Sequence, residues 1–201
     1  MTASQFVLPE PRLAPLKAAL RERLARAGAS VQPENFRRLL DPLMREALEQ
    51  GFREATAHEG TVWLLDPEGT HLVPAFNNGP NAEKFVGRFR QPIQEGLICM
   101  VFANEQPFLE NEVFQNARQS KLLDGLLGLK TCALAAVPFY LFNSCRGVIS
   151  AVQLQAGNDP NPPPPGFQPQ HLSGLGRASE ILSRLVEWRL MHDTMGLGAS
   201  E

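Results

Sequence analysis

The sequence predicts an α+β fold, in which antiparallel strands pack against amphipathic helices. Residues 60–76 and residues 133–155 each contain two apolar strands around a turn, which is the pattern of a β-hairpin. Residues 169–195 instead space their apolar side chains three and four positions apart, as in a long helix. A helix or sheet with an apolar face must bury it against another element, so we expect both kinds of segment in one packed domain.

Length, charge and composition narrow the class of protein. The chain has 201 residues, enough for one domain of about 150 residues with helical additions. Its net charge of −2 gives no excess of basic residues for binding nucleic acid. No apolar run approaches the roughly 20 residues of a membrane span. The N-terminus lacks a signal-peptide pattern, and the 3 cysteines do not make a disulfide framework. We therefore expect a cytoplasmic protein that binds neither nucleic acid nor membrane.

Helical segments are predicted before the first strand. An amphipathic helix that ends at Gly28 is indicated by Leu13, Leu16, Leu20 and Leu24. A second helical segment opens at Pro33, and it restarts at Asp41-Pro42, where Asp41 is suited to the N-cap and Pro42 to the first turn. The side chains expected on one face of the restarted helix, which runs to about residue 57, are Leu43, Ala47, Leu48 and Phe52.

The middle of the chain predicts a first hairpin followed by short elements. Strands at 60–66 and 70–76 flank the turn Asp66-Pro-Glu-Gly69. The elements expected after this hairpin are a helical turn at 82–85, a strand at 86–90 with Val86 and Phe89 inward, a buried helix at 97–103, an edge strand at 108–110 and a helix at 114–127.

Residues 133–155 predict a central hairpin. Its first strand, 133–142, is apolar at nearly every position, so both of its faces should be covered. Asn143, Ser144 and Gly147 accept turn geometry, and the second strand carries small residues that leave room on one face. The proline-rich segment 157–166 then predicts a stiff, exposed loop.

The last helix has a wider apolar face than packing on one sheet requires. Its apolar arc spans roughly 200°, about twice the usual width. The residues on this arc are Leu172, Leu175, Ala178, Ile181, Leu182, Leu185, Val186 and Trp188. The surplus predicts a second helical partner, which is either another copy of the chain or the helix at Leu13–Leu24 of the same chain.

Taken in order, these segments resemble a GAF domain over about residues 41–189. The resemblance rests on Gly60-Thr-Val-Trp-Leu-Leu-Asp66, Gln106-Pro-Phe-Leu-Glu110, Ala135-Ala-Val-Pro138 and Arg146-Gly-Val-Ile-Ser-Ala-Val-Gln-Leu154, followed by Phe167 and a long helix. No single motif is specific, but their order is difficult to obtain in another fold.

The resemblance implies a central antiparallel sheet of five or six strands. Terminal helices would lie on one face, and short helices and loops would enclose a small-molecule pocket on the other. The chain would divide into an N-terminal helical extension at 1–40, a GAF-like domain at 41–195 and a disordered tail at 196–201. GAF domains commonly dimerise through their terminal helices. The resemblance therefore implies a dimer interface that contains Leu43, Leu48, Leu182, Leu185 and Trp188.

The sequence lacks the residues that the family uses to bind three kinds of ligand or cofactor. Bilin attachment needs a cysteine in the helix before the Val-Pro strand, and residues 116–129 contain none. The cyclic-nucleotide signature of the phosphodiesterase type is absent, since Gln155-Ala156 stands where Asn-Lys is expected. Haem or iron would need clustered ligands, whereas the histidines are scattered at His58, His71, His171 and His192. We expect no bilin, haem or metal.

Free methionine sulfoxide reduction is the enzymatic alternative. Cys99 is the nearest match to the cysteine of the family's Gly-x-Cys helix, but it follows Gly96 by three residues rather than two, a turn of about 100° on a helix. Cys132 and Cys145 fit no resolving position, and a thiol in an apolar run is usually a packing residue. We therefore expect that the protein is not an enzyme and rank a thiol-dependent reductase last.

The resulting hypothesis is a regulatory or sensory signal-transduction module that binds a small molecule non-covalently and forms a homodimer. The alternative is a ligand-free interaction scaffold whose pocket is filled by Phe102 and Phe114. No effector segment follows residue 195, so a separate effector protein is the expected partner, unless the chain is a piece of a longer one. The residues expected to line the ligand pocket are Phe89, Arg90, Ile98, Phe102, Asn111, Phe114, Asn116, Arg118 and Ser150.

Overall fold

A six-stranded antiparallel sheet forms the centre of the protein. The computed structural model describes residues 11–194. Its strands are β1 (Glu59–Leu65), β2 (His71–Asn77), β3 (Gln91–Pro92), β4 (Phe108–Glu110), β5 (Leu129–Leu141) and β6 (Ser144–Ala156). They lie in the order β3-β2-β1-β6-β5-β4, and each neighbouring pair is antiparallel. The predicted α+β class and the five- or six-stranded sheet are confirmed.

Helices cover both faces of this sheet. They are α1 (Ala14–Ala29), α2 (Pro33–Leu39), α3 (Pro42–Glu54), α4 (Ala82–Phe85), α5 (Leu97–Asn104), α6 (Leu122–Leu127) and α7 (Pro169–Thr194). α2, α3 and α7 pack on one face, whereas α5 and α6 pack on the other. Within residues 11–194, no helix is both long and apolar enough to cross a bilayer. The disordered tail expected at 196–201 lies outside the described residues.

The helix pair α3–α7 forms the outer wall of the larger core. α3 starts as predicted, with the Asp41 carboxylate accepting a hydrogen bond of 2.8 Å from the Met44 amide. Gly51 of α3 lies against Ala178 of α7 so closely that a Cβ on Gly51 would overlap the Ala178 methyl group. Leu43 does not share the buried face of α3, because that face is set by Met44, one residue further along, and Leu43 is exposed.

The segment before α3 is part of the same core. Phe36 of α2 is fully buried, and its ring meets that of Phe139 edge-on at a centroid distance of 6.3 Å. Val31 is buried in the same cluster. Residues on both sides of residue 41 therefore contribute to one hydrophobic core.

The turn of the central hairpin consists of Phe142 and Asn143. Both have positive φ, 48° and 65°, as a two-residue type I′ turn requires. Ser144 and Gly147, expected in the turn, instead pair with Leu141 and Phe139 in the β5–β6 ladder. The turn is shorter than expected because Phe142 adopts a left-handed conformation that side chains such as phenylalanine rarely take.

Two short elements differ from the prediction. Residues 86–90 are not a strand, because Gly87 has a φ of 73° and its amide bonds to the Pro74 carbonyl, which turns the chain back to β2. Residues 114–127 are not one helix. A 3-10 turn at Val113–Gln115 is followed by an irregular stretch, and α6 starts only at Leu122.

The pairing of β1 with β6 depends on Gly147. It lies opposite Leu64, and a Cβ at Gly147 would come within 1.8 Å of the Trp63 carbonyl oxygen. A backbone oxygen in a sheet cannot move aside as the end of a flexible side chain can. Glycine is therefore required here for the two central strands to approach each other.

We predict that Gly147→Ala lowers the free energy of unfolding by about 1–3 kcal/mol through overpacking of this strand pair. Urea unfolding monitored by circular dichroism measures the change. The matched control is Gly176→Ala on α7, where the new methyl group meets nothing within 4 Å. That change should raise stability by about 0.5–1 kcal/mol through helix propensity. Equal effects of the two substitutions would contradict the proposed contact.

Candidate functional site

A cavity of about 100 Å³ lies on the sheet face opposite α3 and α7. Its floor is formed mainly by β1, β6 and β5, with one residue each from β2 and β3, and its walls and roof by α5, α6 and the segment 113–120. The floor side chains from the strands are Glu59, Thr61, Trp63, Asn77, Gln91, Leu129, Thr131, Leu134, Ser150, Val152 and Leu154. The cavity is thus enclosed by the layer of short helices that the GAF resemblance implies.

Side-chain alternation along β1 gives the cavity its polar floor. Glu59, Thr61 and Trp63 face the cavity, whereas Val62 and Leu64, at the alternate positions, are buried against the helices on the other face. The amide of Asn77, on β2, donates hydrogen bonds to Thr61 Oγ1 at 3.0 Å and to Glu59 Oε2 at 3.4 Å. A short polar row therefore crosses two strands at one end of the cavity.

Glu59 is the unusual member of this row. Its residue is only 6% exposed, and its side chain rests on Gly79, where a Cβ would overlap the carboxyl group. Burial raises the pKa of Glu59, and the Asn77 hydrogen bond and the charge of His58 offset this only in part. A carboxyl group with one long hydrogen bond is costly to keep ionised in such a place.

The indole ring of Trp63 has a fixed position in the cavity floor. Its Nε1 donates a hydrogen bond of 2.9 Å to Ser150 Oγ on the neighbouring strand, and both groups are buried. Ser150 lies opposite Thr61 in the β1–β6 register. The two strands thus hold an aromatic face beside the polar row.

Polar contacts attach the roof helix α6 to the sheet. Asp124 accepts hydrogen bonds from the Thr131 amide at 3.0 Å, from Thr131 Oγ1 at 2.7 Å and from Gln119 Nε2 at 2.8 Å. No residue of α6 is fully buried. The roof therefore has little apolar packing and is fastened chiefly by one carboxylate.

Of the nine predicted pocket residues, Ile98 and Ser150 line the cavity. Phe89 and Phe102 pack in the same hydrophobic cluster, outside the cavity wall, with the Phe89 ring edge-on to Trp63 at 6.3 Å. Phe114 lies under the Lys130 ammonium group, 3.8 Å from the ring centroid. The scaffold alternative requires Phe102 and Phe114 to fill the cavity, and neither residue does so.

The four polar side chains predicted for the pocket have other partners. Arg90 Nη1 lies 3.2 Å from Asp66 Oδ2 at the first hairpin turn. Asn116 donates to Glu110, and Arg118 is exposed. Asn111 binds the backbone of Phe167 through both side-chain atoms, accepting from its amide at 2.7 Å and donating to its carbonyl at 2.9 Å. These residues fix loops around the cavity rather than line it.

Glu59, Asn77 and Asp124 are polar lining residues that were not predicted from the sequence. Glu59 and Thr61 alternate with apolar residues on β1, which is the available signal for a polar floor. It was not recognised because the strand was expected to start at Gly60. The second strand was expected to end at Phe76, so Asn77 fell outside it, although it is buried in the ladder opposite Thr61.

The described residues offer no activated thiol. Burial and the charge of Glu95 raise the pKa of Cys99 to about 12, and its Sγ donates to the Pro92 carbonyl oxygen. Burial likewise raises the pKa of Cys145 to about 11 and also raises that of Cys132. A nucleophilic thiolate is therefore disfavoured at all three positions. Across residues 11–194, no three His, Cys, Asp or Glu side chains are grouped to hold a metal ion.

The residues predicted for a dimer interface separate into two groups. Leu48 and Leu182 are fully buried between α3, α7 and the sheet, so their assignment to a dimer surface is corrected. Leu43 and Trp188 are exposed, and Leu185 is half-buried. Trp188 is 65% exposed, and it lies one helical turn from Leu185 and two from Ile181, itself exposed.

Solved structures with a similar fold are GAF domains and GAF-fold enzymes. The GAF domain of an Acinetobacter phosphoenolpyruvate-protein phosphotransferase is 19% identical, with a TM-score of 0.55 over 86% of this chain and 93% of that one. The GAF-B domain of DevS from Mycobacterium smegmatis is 20% identical, with a TM-score of 0.52 over 79% and 100%. The free methionine-R-sulfoxide reductase from Neisseria meningitidis, in complex with its substrate, is 18% identical, with a TM-score of 0.53 over 93% and 96%.

These likenesses establish the fold: the chain has a GAF-like fold. The sequence matches no protein-family model and no curated protein. Because each identity lies near or below 20%, the particular activity has to be argued from the cavity and its residues.

We predict that Glu59→Gln stabilises the unliganded protein at pH 7. The pKa of Glu59 is raised on folding, so ionisation of Glu59 opposes folding once the pH exceeds the unfolded value of 4.5. The neutral amide avoids this cost. Below about pH 4 both states of the wild type are protonated, and the two proteins should have similar melting temperatures.

Thermal unfolding followed by circular dichroism, at pH 7 and below about pH 4, measures the difference in melting temperature between Glu59→Gln and the wild type. Glu83→Gln, at an exposed position on α4, is the matched control and should show no comparable pH-dependent gain. A Glu59→Gln protein that is less stable than the wild type at pH 7 would contradict the uncompensated burial.

Proposed function

We propose that this protein is a cytoplasmic, non-catalytic sensory module that binds a small molecule in the cavity and dimerises through α7. The observation that carries the proposal is the separation of two surfaces by one sheet. The cavity lies on one face of the sheet, and the long terminal helices lie on the other. A signal received on the first face can change the arrangement of helices presented by the second.

The size of the cavity limits the ligand. Drug-sized ligands occupy pockets of about 300–1,000 Å³. A cavity of about 100 Å³ is too small for a nucleotide or a porphyrin without displacement of the roof helix α6. The proposed ligand is therefore a compact molecule, held by non-covalent contacts.

The raised thiol pKa values support a binding role over the reductase alternative. Cys99, the candidate nucleophile, is held in its neutral form by burial, and its thiol donates a hydrogen bond to a backbone carbonyl. Neither Cys132 nor Cys99 lines the cavity. A sulfoxide in the cavity would thus meet no thiolate.

Exposed apolar rows on two helices support association of two copies. Ile181 and Trp188 are exposed on α7, with the half-buried Leu185 between them, and a leucine row on α1 is also exposed at Leu16 and Leu20. The intramolecular alternative requires the α1 row to cover the α7 row. It does not, because these α1 leucines are more than half exposed. A second copy burying these rows would remove apolar surface from water.

Communication between the two faces has a physical route at the sheet edge. Asn111 precedes the cavity-lining residue Val113 by two positions and holds the backbone of Phe167, two residues before α7. A ligand shifts the helices only if it binds one helix arrangement better than the other. The output would pass to a separate effector protein.

We predict that equilibrium dialysis of the protein against a small-molecule extract of its natural source enriches a molecule in the protein that denaturation then releases. Mass spectrometry of the released fraction identifies it. Leu127→Trp fills the cavity from α6 without removing a hydrogen bond and should abolish retention of that molecule. Leu126→Trp, at the exposed neighbouring position, should retain it. Equal retention by both variants, or an empty wild type, would refute the sensory role.

We predict that Trp188→Glu yields a folded monomer, because two carboxylates would be buried in the dimer without partners. Sedimentation velocity gives the mass, and circular dichroism verifies the fold. The control Gln170→Glu adds the same charge at an exposed polar position of α7 and should remain dimeric. Trp188→Glu that stays dimeric would remove this row from the interface.

A further inference from the structure

We infer that the cavity selects a small organic cation, an ammonium compound of about four heavy atoms, which binds the Glu59 carboxylate. This inference rests on the proposed function, in which the cavity holds a ligand, and it specifies the ligand's charge. It is carried by the ionisable groups of the lining, their hydrogen bonds and the volume available.

The lining of the cavity contains acidic groups without basic ones. Glu59 and Asp124 line it, and no lysine, arginine or histidine in the described part of the chain does. His58, next to Glu59 in sequence, is exposed and hydrogen-bonds through Nδ1 to the backbone of Leu154. An anionic ligand would meet two like charges and no counter-charge, whereas a cation would meet complementary groups.

The two carboxyl groups have different hydrogen-bond environments. Asp124 accepts three hydrogen bonds from Thr131 and Gln119, so its oxygens serve to attach α6. Among residues 11–194, the Glu59 side chain receives only the long bond from Asn77, at 3.4 Å, and Glu59 is more than nine-tenths buried. A carboxylate has about four acceptor sites, so most of the hydrogen-bonding capacity of Glu59 is unused. It is available to N–H donors in the cavity.

The surroundings of Glu59 suit an ammonium group that carries a short apolar chain. The Trp63 ring, fixed by Ser150, lies on the same face of β1 and offers an aromatic surface to a cation. On the roof, the hydroxyl of Ser120 is buried without a partner among the described residues and also lines the cavity. The remaining lining is mostly aliphatic, as the chain of the ligand requires.

The cavity volume sets the size of the cation. An apolar cavity of about 150 Å³ holds benzene, with six heavy atoms. A cavity of about 100 Å³ therefore accommodates about four heavy atoms, such as propylammonium. The best ligands of this size bind with dissociation constants on the order of 10⁻⁵ M.

The test compares three probes of similar size and different charge: propylammonium, 1-propanol and acetate. Each is titrated into the full chain, and amide ¹H–¹⁵N shifts report binding at Thr61 and Asn77. Propylammonium should bind at least tenfold more tightly than 1-propanol, and acetate should not bind. Preference for 1-propanol or acetate would overturn the charge assignment while leaving a ligand-binding cavity. No shift with any probe would overturn it as well, whereas the molecule released from the native protein tests the sensory role independently.

Variants separate the carboxylate from general effects of the amine. Glu59→Gln should weaken propylammonium binding by about tenfold or more and leave 1-propanol binding unchanged, since a charge-assisted hydrogen bond becomes a neutral one. Glu83→Gln should leave both affinities unchanged, because Glu83 is exposed outside the cavity. Unchanged propylammonium affinity in Glu59→Gln would overturn the inference.

Discussion

The register between β1 and β6 is the constraint on which the rest of the molecule depends. Side chains alternate along a strand, so a slip of one residue would exchange every group between the two faces. Gly147, packed against the Trp63 carbonyl oxygen, and the hydrogen bond from Trp63 to Ser150 both require the observed register. With this register, Val62 and Leu64 enter the helical core, whereas Glu59 and Thr61 face the cavity.

The two faces of the sheet differ in packing and polarity. The helical face is dry and closely packed, as the contact between Gly51 and Ala178 illustrates. The cavity face combines an unfilled volume, a poorly bonded carboxyl group and a roof helix fastened by Asp124. Such features lower the stability of the unliganded state. They are characteristic of binding sites, where a ligand supplies the missing contacts.

The strongly periodic segments were predictable from the sequence, and the polar site was not. The two hairpins and α7 follow from patterns of apolar residues that local physics determines. The cavity depends on which strands become neighbours: Glu59 and Asn77 are 18 residues apart and meet only through the β1–β2 ladder. Asn111 was expected at the ligand because it is polar and near the pocket, yet its contact with Phe167 spans 56 residues. Long-range pairing of this kind leaves no local signal.

The contact between Asn111 and Phe167 has a mechanical consequence for α7. It anchors the chain just before the first turn of a helix of 26 residues, which is about 39 Å long. Because α7 is this long, a tilt of about 5° about that anchor would displace its far end by about 3 Å, which exceeds half the rise of one helical turn.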